Sequence, residues 1–215
     1  MKKLIFISIL SIFALSCEKT EDETTDQVSL RSEEIWKNHK FKSLLASQFN
    51  LLLELSFSNI SNEKEDSFFS SFGQIKSGNE IEFLMNKYDV KNKNQIISLY
   101  NESMLLKDEL NPILQEIQDK PELSKSLKAR FNQFASNYKK LRISNDCGFC
   151  QSEQTEVLIE YWYYFVTHVN TVTGLAIDPG FRDRYRSVRD CFETCSGSAA
   201  GGGGGEFYLD PDNIQ

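Results

Sequence analysis

"PELSKSLKARFNQFASNYKKL", residues 121–141, decides the fold class. Leu123, Leu127, Phe131, Phe134, Tyr138 and Leu141 step by 4, 4, 3, 4 and 3. That spacing lines one face of an α-helix. Pro121 stands where a first helical residue belongs, since its missing N–H is not needed there. Lys125, Lys128, Lys139 and Lys140 fall off the apolar stripe, so this helix packs on one side and meets water on the other.

The same period runs through most of the chain. "SEEIWKNHKFKSLLASQFNLLLELS", residues 32–56, predicts a helix capped by Ser32. Glu33 and Glu34 in its first turn complement the positive end of the helix dipole. "NEIEFLMNKYD" predicts a second helix from Asn79. "NKNQIISLYNESMLLKDEL" predicts a third, continued by "NPILQEIQDK" with Pro112 at a kink or a new first turn. Residues 56–75 predict a short helix around Phe68–Phe72. "TEVLIEYWYYFVTHV", residues 155–169, is aromatic almost all round, the pattern of a buried helix. "DPGFRDRY" starts another, with Asp178 as cap and Pro179 as first residue. Its face is Phe181, Tyr185, Val188, Phe192 and Cys195. No run reads as a strand. The expected fold is all-α: an irregular helical bundle over residues 30–141, then a cysteine-stapled helical hairpin over 145–196. Residues 197–215 form a tail whose five consecutive glycines make a flexible connector, with "EFYL" beyond them able to dock back.

The first residues carry a different message. Lys2 and Lys3 precede "LIFISILSIFAL", an apolar run of 12 residues. A membrane-spanning helix needs about 20, whereas a run of this length suits the core of a secretory signal. The run closes in "ALSC", residues 14–17. A small residue before a cysteine at this place resembles the lipobox of bacterial lipoproteins. The resemblance implies removal of residues 1–16 and a diacylglycerol, with palmitate as a typical acyl chain, on Cys17. Two or more chains are what stable anchoring takes. Residues 17–29 continue with "EKTEDETTD", which has no apolar period and reads as a disordered acidic tether. In lipoproteins of the Bacteroidota such a run resembles a surface-export signal. The implied location is the outer membrane, lipid-anchored and surface-exposed, with the periplasmic face as the alternative.

Composition sets outer bounds. The chain has a net charge of −7, and without Lys2 and Lys3 the balance is 22 basic against 31 acidic residues. That disfavours nucleic acid as a partner. With Cys17 assigned to lipid, Cys147, Cys150, Cys191 and Cys195 remain. An exported chain makes disulfides their default state. Zinc is disfavoured, because the gap between the two pairs is long for a zinc site and reduced thiols do not persist outside the cell. The spacing lacks the βαβ setting of a thioredoxin-like redox motif, and Gln151 stands where haem attachment needs histidine. If the two helices of the hairpin run over 150–168 and 179–195, they are about 27 and 24 Å long. The start of one then lies against the end of the other, and nested bridges Cys147–Cys195 and Cys150–Cys191 follow. A longer first helix favours the local pairs instead.

No catalytic set assembles in the sequence. There is no Gly-x-Ser-x-Gly elbow, and the two histidines, His39 and His168, lie far apart. His168 shares an apolar stripe with Leu158, Tyr161, Phe165 and Val172, the setting of a buried, hydrogen-bonded side chain. Arg182, Arg186 and Arg189 share a helical face that suits an anion, yet Asp178, Asp183, Asp190 and Glu193 offset the local arginines. Asp183 and Arg186 are spaced to pair with each other, which favours a solvated, self-paired face. The sequence therefore points to no cofactor, no metal and no catalytic residue. The absence of an assembled catalytic set favours a membrane-anchored, non-enzymatic binding or structural module. The alternatives are a secreted, bacteriocin-like effector whose C-terminal disulfide unit is the active part and, third, an enzyme.

Overall fold

A computed structural model describes residues 19–56, 58, 60–142, 150, 153, 156, 157, 160, 161, 179–195 and 209–214. Among these residues the protein is all-α, with seven helices and no strand. They are α1 (Lys19–Lys37), α2 (His39–Ser56), α3 (Asn62–Phe72), α4 (Gly78–Lys87), α5 (Lys93–Asp119), α6 (Pro121–Arg142) and α7 (Pro179–Cys195). A 3₁₀ turn, Pro211–Asn213, follows near the C-terminus. Positions 150, 153, 156, 157, 160 and 161 are also helical.

Helix α2 is the axis of the fold. Every residue from Leu44 to Leu55 is buried, including Ser47, Gln48, Asn50 and Glu54. A helix surrounded on all sides must be apolar nearly all round, and "LLASQFNLLLEL" is. Its most extensive partner is α5, and it also touches α1, α7 and the 3₁₀ turn. The single helix expected from Ser32 to Ser56 is broken at Asn38. There the chain turns, and Asn38 Oδ1 accepts from the Phe41 N–H at 3.3 Å, capping the new helix. The break lets α1 lie on α6 while α2 enters the core.

Two N-terminal expectations change. Ser32 is not a cap: it lies inside α1, fully buried, and its hydroxyl donates to the Ser29 carbonyl at 2.8 Å. That hydroxyl also receives Ser126 Oγ at 2.7 Å and Arg130 Nε at 3.1 Å, both from α6. A serine ahead of two glutamates reads as a cap from local rules. Here its partners come from almost a hundred residues away. The acidic run expected as a disordered tether is helical from Lys19 onward. Carboxylates near a helix N-terminus suit its dipole, and the same helix is held further on by Arg31 and Trp36. Thr25, Asp26, Gln27, Ser29 and Leu30 remain exposed.

The opening stretch forms α6, and four of its six stripe residues can be placed; the side chains of Tyr138, Lys139, Lys140 and Leu141 lie outside the described residues. Leu123, Leu127, Phe131 and Phe134 are buried, while Lys125 and Lys128 are exposed. Trp36 of α1 meets Phe131 edge-on at 6.4 Å and Phe134 at 6.3 Å between ring centroids. Phe131 and Phe134 are 5.8 Å apart. Residues 62–72 form a longer helix than the one expected around Phe68–Phe72, and Phe68, Phe69 and Phe72 are its buried face. Helix α4 starts one residue before Asn79. Its cap is Ser77, whose side chain accepts from the Glu80 N–H at 3.4 Å, while Glu80 Oε2 accepts from the Lys76 N–H at 2.6 Å. This is the reciprocal arrangement of a capping box, shifted by one donor. Pro112 sits inside α5, which runs through it.

Candidate functional site

Four polar side chains on the buried helix α2 organise the centre of the molecule. Ser47 Oγ pairs with Ser103 Oγ of α5 at 3.0 Å. Glu54 accepts from Asn92 Nδ2 through both its backbone oxygen, at 2.8 Å, and its carboxylate, at 2.5 Å. Asn92 Oδ1 is buried and has no hydrogen-bond partner among the described residues. Gln48 and the Leu45 carbonyl both accept from the Tyr161 hydroxyl, at 3.4 and 3.3 Å. Tyr161 is fully buried against Phe49, with ring centroids 5.7 Å apart, and burial pushes its phenol well above its ordinary pKa. Each of these contacts gives a buried polar group the partner it needs in a low-dielectric interior.

Asn50 is used differently. Its Nδ2 donates to the Leu209 carbonyl at 2.9 Å, and its Oδ1 accepts from the Leu209 N–H at 2.8 Å. One side-chain amide thus satisfies both backbone groups of one residue in another segment. Leu209 and Ile214 are buried, so residues 209–214 dock on the body, while Glu206, Phe207 and Tyr208 of the "EFYL" stretch lie outside the described residues. These six residues hold their shape by their own bonds. Asp210 Oδ1 accepts from the Asp212 N–H at 2.9 Å, Pro211 opens the turn, and the Ile214 N–H reaches the Pro211 carbonyl at 3.2 Å. His39 Nε2 lies 3.3 Å from Asp212 Oδ1 at the exposed edge.

The cysteine unit joins the same core. Cys150 and Cys191 form a disulfide, with S–S 2.04 Å and Cα–Cα 5.6 Å. This is one of the two nested bridges that the hairpin geometry predicts. Cys147 and the side chain of Cys195 lie outside the described residues, as do Cys17, His168 and the side chains of Arg182 and Arg189. Arg186, the described member of the arginine face, pairs with Asp183 at 3.0 Å and also with Glu65 of α3. Arg184 pairs with Glu160. The described arginines of α7 are therefore occupied by carboxylates of the same chain.

A third polar group locks the outer layer. Arg31 donates to Glu116 from Nε at 3.0 Å and from its terminal nitrogen at 2.6 Å, and to Glu34 at 2.7 Å. Lys120 adds a contact to Glu116 at 3.0 Å. The Arg31 hydrogen bond holds the Glu116 carboxyl below its usual pKa against the opposing effect of burial. Among the described residues, no group of three or more His, Cys, Asp or Glu is placed to hold a metal ion, and no helix is long and apolar enough to cross a membrane.

No protein-family model, curated protein or solved structure matches this chain. The reading of the site rests on its own residues. Of these, Asn50 and Asn38 escape sequence reasoning, whereas Tyr161 lies on the stripe of the expected buried helix and only its partners, the Leu45 carbonyl and Gln48, are not foreseen. An asparagine inside an apolar run carries a weak signal: it belongs there only if a distant partner satisfies its amide.

Proposed function

We propose that this chain is an exported lipoprotein, held to a membrane through Cys17, whose helical body acts as a non-enzymatic binding or structural module. The observation that carries the reading is the Cys150–Cys191 bridge, because structural disulfides belong to oxidising, extracytoplasmic compartments. It agrees with the apolar run and "ALSC" at residues 4–17. The buried polar groups described on α2 are engaged in packing or in holding the C-terminal segment, which suits a scaffold that presents surfaces. The outer membrane surface is the proposed location.

The test is metabolic labelling with a palmitate analogue. The wild-type chain incorporates label and partitions into detergent, whereas Cys17→Ala accumulates as unlabelled precursor. Equal labelling of the two refutes the anchor. Protease added to intact cells removes a surface-exposed protein, and neutralising Glu18, Glu21, Asp22 and Glu23 together protects it if they direct export. Resistance of the wild type places it on the periplasmic face.

A further inference from the structure

The contact between α2 and the C-terminal segment has the form of peptide recognition. The segment is short, and its two buried side chains, Leu209 and Ile214, flank a turn. The turn is held by bonds within the segment itself: Asp210 caps it, and Pro211 restricts its backbone. A peptide that already holds its bound shape loses less entropy on binding. The receiving side reads backbone as well as side chain, because Asn50 pairs with both the N–H and the carbonyl of Leu209. This pairing places Leu209 in a defined register, whatever precedes it in the chain.

Fourteen Cα steps separate Cys195 from Leu209, and they include the five consecutive glycines. Fully extended, such a length reaches roughly 50 Å. Molecules anchored on one membrane face would lie within that reach of each other when crowded.

We propose that the surface of α2 around Asn50 is a peptide-binding site whose ligand is the C-terminal segment of this same chain, so that the segment of a second copy can occupy it. The recognised chemistry is an aliphatic residue whose backbone N–H and carbonyl are both free to pair, an Asp-Pro turn, and a second aliphatic residue five positions on. This names a partner for the binding module and rests on that reading for its role. Peptide binding and Cys17 lipidation are measured separately, so either can fail alone.

The experiment uses the full chain with Leu209→Asp and Ile214→Asp, which unseat the segment in cis. Fluorescein-labelled peptide 206–215 is titrated by polarisation. Saturable one-to-one binding is expected, at least about tenfold tighter than to the wild-type chain, whose own segment competes at an effective concentration near millimolar. Adding Asn50→Ala should weaken it by about tenfold or more, because two buried backbone groups lose their partner. A peptide with Asp210→Ala and Pro211→Ala should also bind more weakly. Should the unseated chain fail to fold by circular dichroism, a full chain with a protease site in the glycine run is cut after folding, and labelled peptide must exchange into it. No binding to the folded variant, equal binding to variant and wild type, or no exchange into the cut protein overturns the proposal.

Discussion

Phe131→Ala tests the packing that seats the outermost helices. Phe131 is fully buried on α6 and lies between Trp36 of α1 and Phe134 of its own helix. Removing a buried phenylalanine costs about 3–5 kcal/mol, combining lost transfer energy with the cavity left behind. The upper half of that range applies here, because each edge-on ring contact adds about 0.5–1.5 kcal/mol beyond area burial. A loss of about 4 kcal/mol is a large share of the roughly 5–15 kcal/mol that holds a domain together. It lowers the melting temperature by roughly 8–16 °C for a chain of this length. Urea denaturation, followed by far-ultraviolet circular dichroism and tryptophan fluorescence, reads the change as a lower midpoint at unchanged slope. Lys125→Ala on the same helix is the control: its side chain is 81% exposed and its contact to Glu122 is 3.8 Å. It should change stability by less than about 0.5 kcal/mol. A loss under about 1 kcal/mol for Phe131→Ala, or equal losses for the two variants, refutes the packing of α1 on α6.

Three further predictions concern other parts of the molecule. Peptide mapping of the unreduced protein should join a fragment containing Cys150 to one containing Cys191, and the nested geometry predicts Cys147 joined to Cys195. Reducing the Cys150–Cys191 bridge, whose ends are 41 residues apart, should cost up to about 4 kcal/mol by loop entropy while leaving α6 helical. Glu116 titrates below its unfolded pKa because Arg31 bonds its charged form. Its contribution is therefore present above the unfolded value of about 4.3 and lost as pH falls through the folded value. Glu116→Gln should cost about 1 kcal/mol or less at neutral pH and flatten the acid side of the stability profile. An unchanged profile would show that the pair does not couple to folding. Asn38→Ala should lower stability by about 1 kcal/mol in a urea melt, the usual cost of losing a cap, and no loss would argue against capping at this break.

Helix content was written into the sequence because it is local. The 3.6-residue period of 121–141 needs nothing beyond the stretch itself, and α6 follows it. Pro179 and Pro121 mark helix starts for the same reason: a proline lacks the N–H that only the first turn can spare. The cysteine pairing was half legible, since helix lengths alone bring Cys150 opposite Cys191. Local rules assign Ser32 a cap, but its hydroxyl goes instead to distant partners, Ser126 and Arg130, which only packing supplies. Asn38 carries no local signal of a break because the periodicity on either side continues through it, and the turn there depends on where α1 and α2 must each go. The burial of α2 on every side, the closure of Tyr161 onto Leu45 and Gln48, and the seating of Leu209 on Asn50 belong to tertiary structure alone. A residue's period shows which face is apolar. It does not show which distant backbone will arrive to satisfy a buried amide, because that contact joins residues 159 positions apart and exists only once the helices between them have packed.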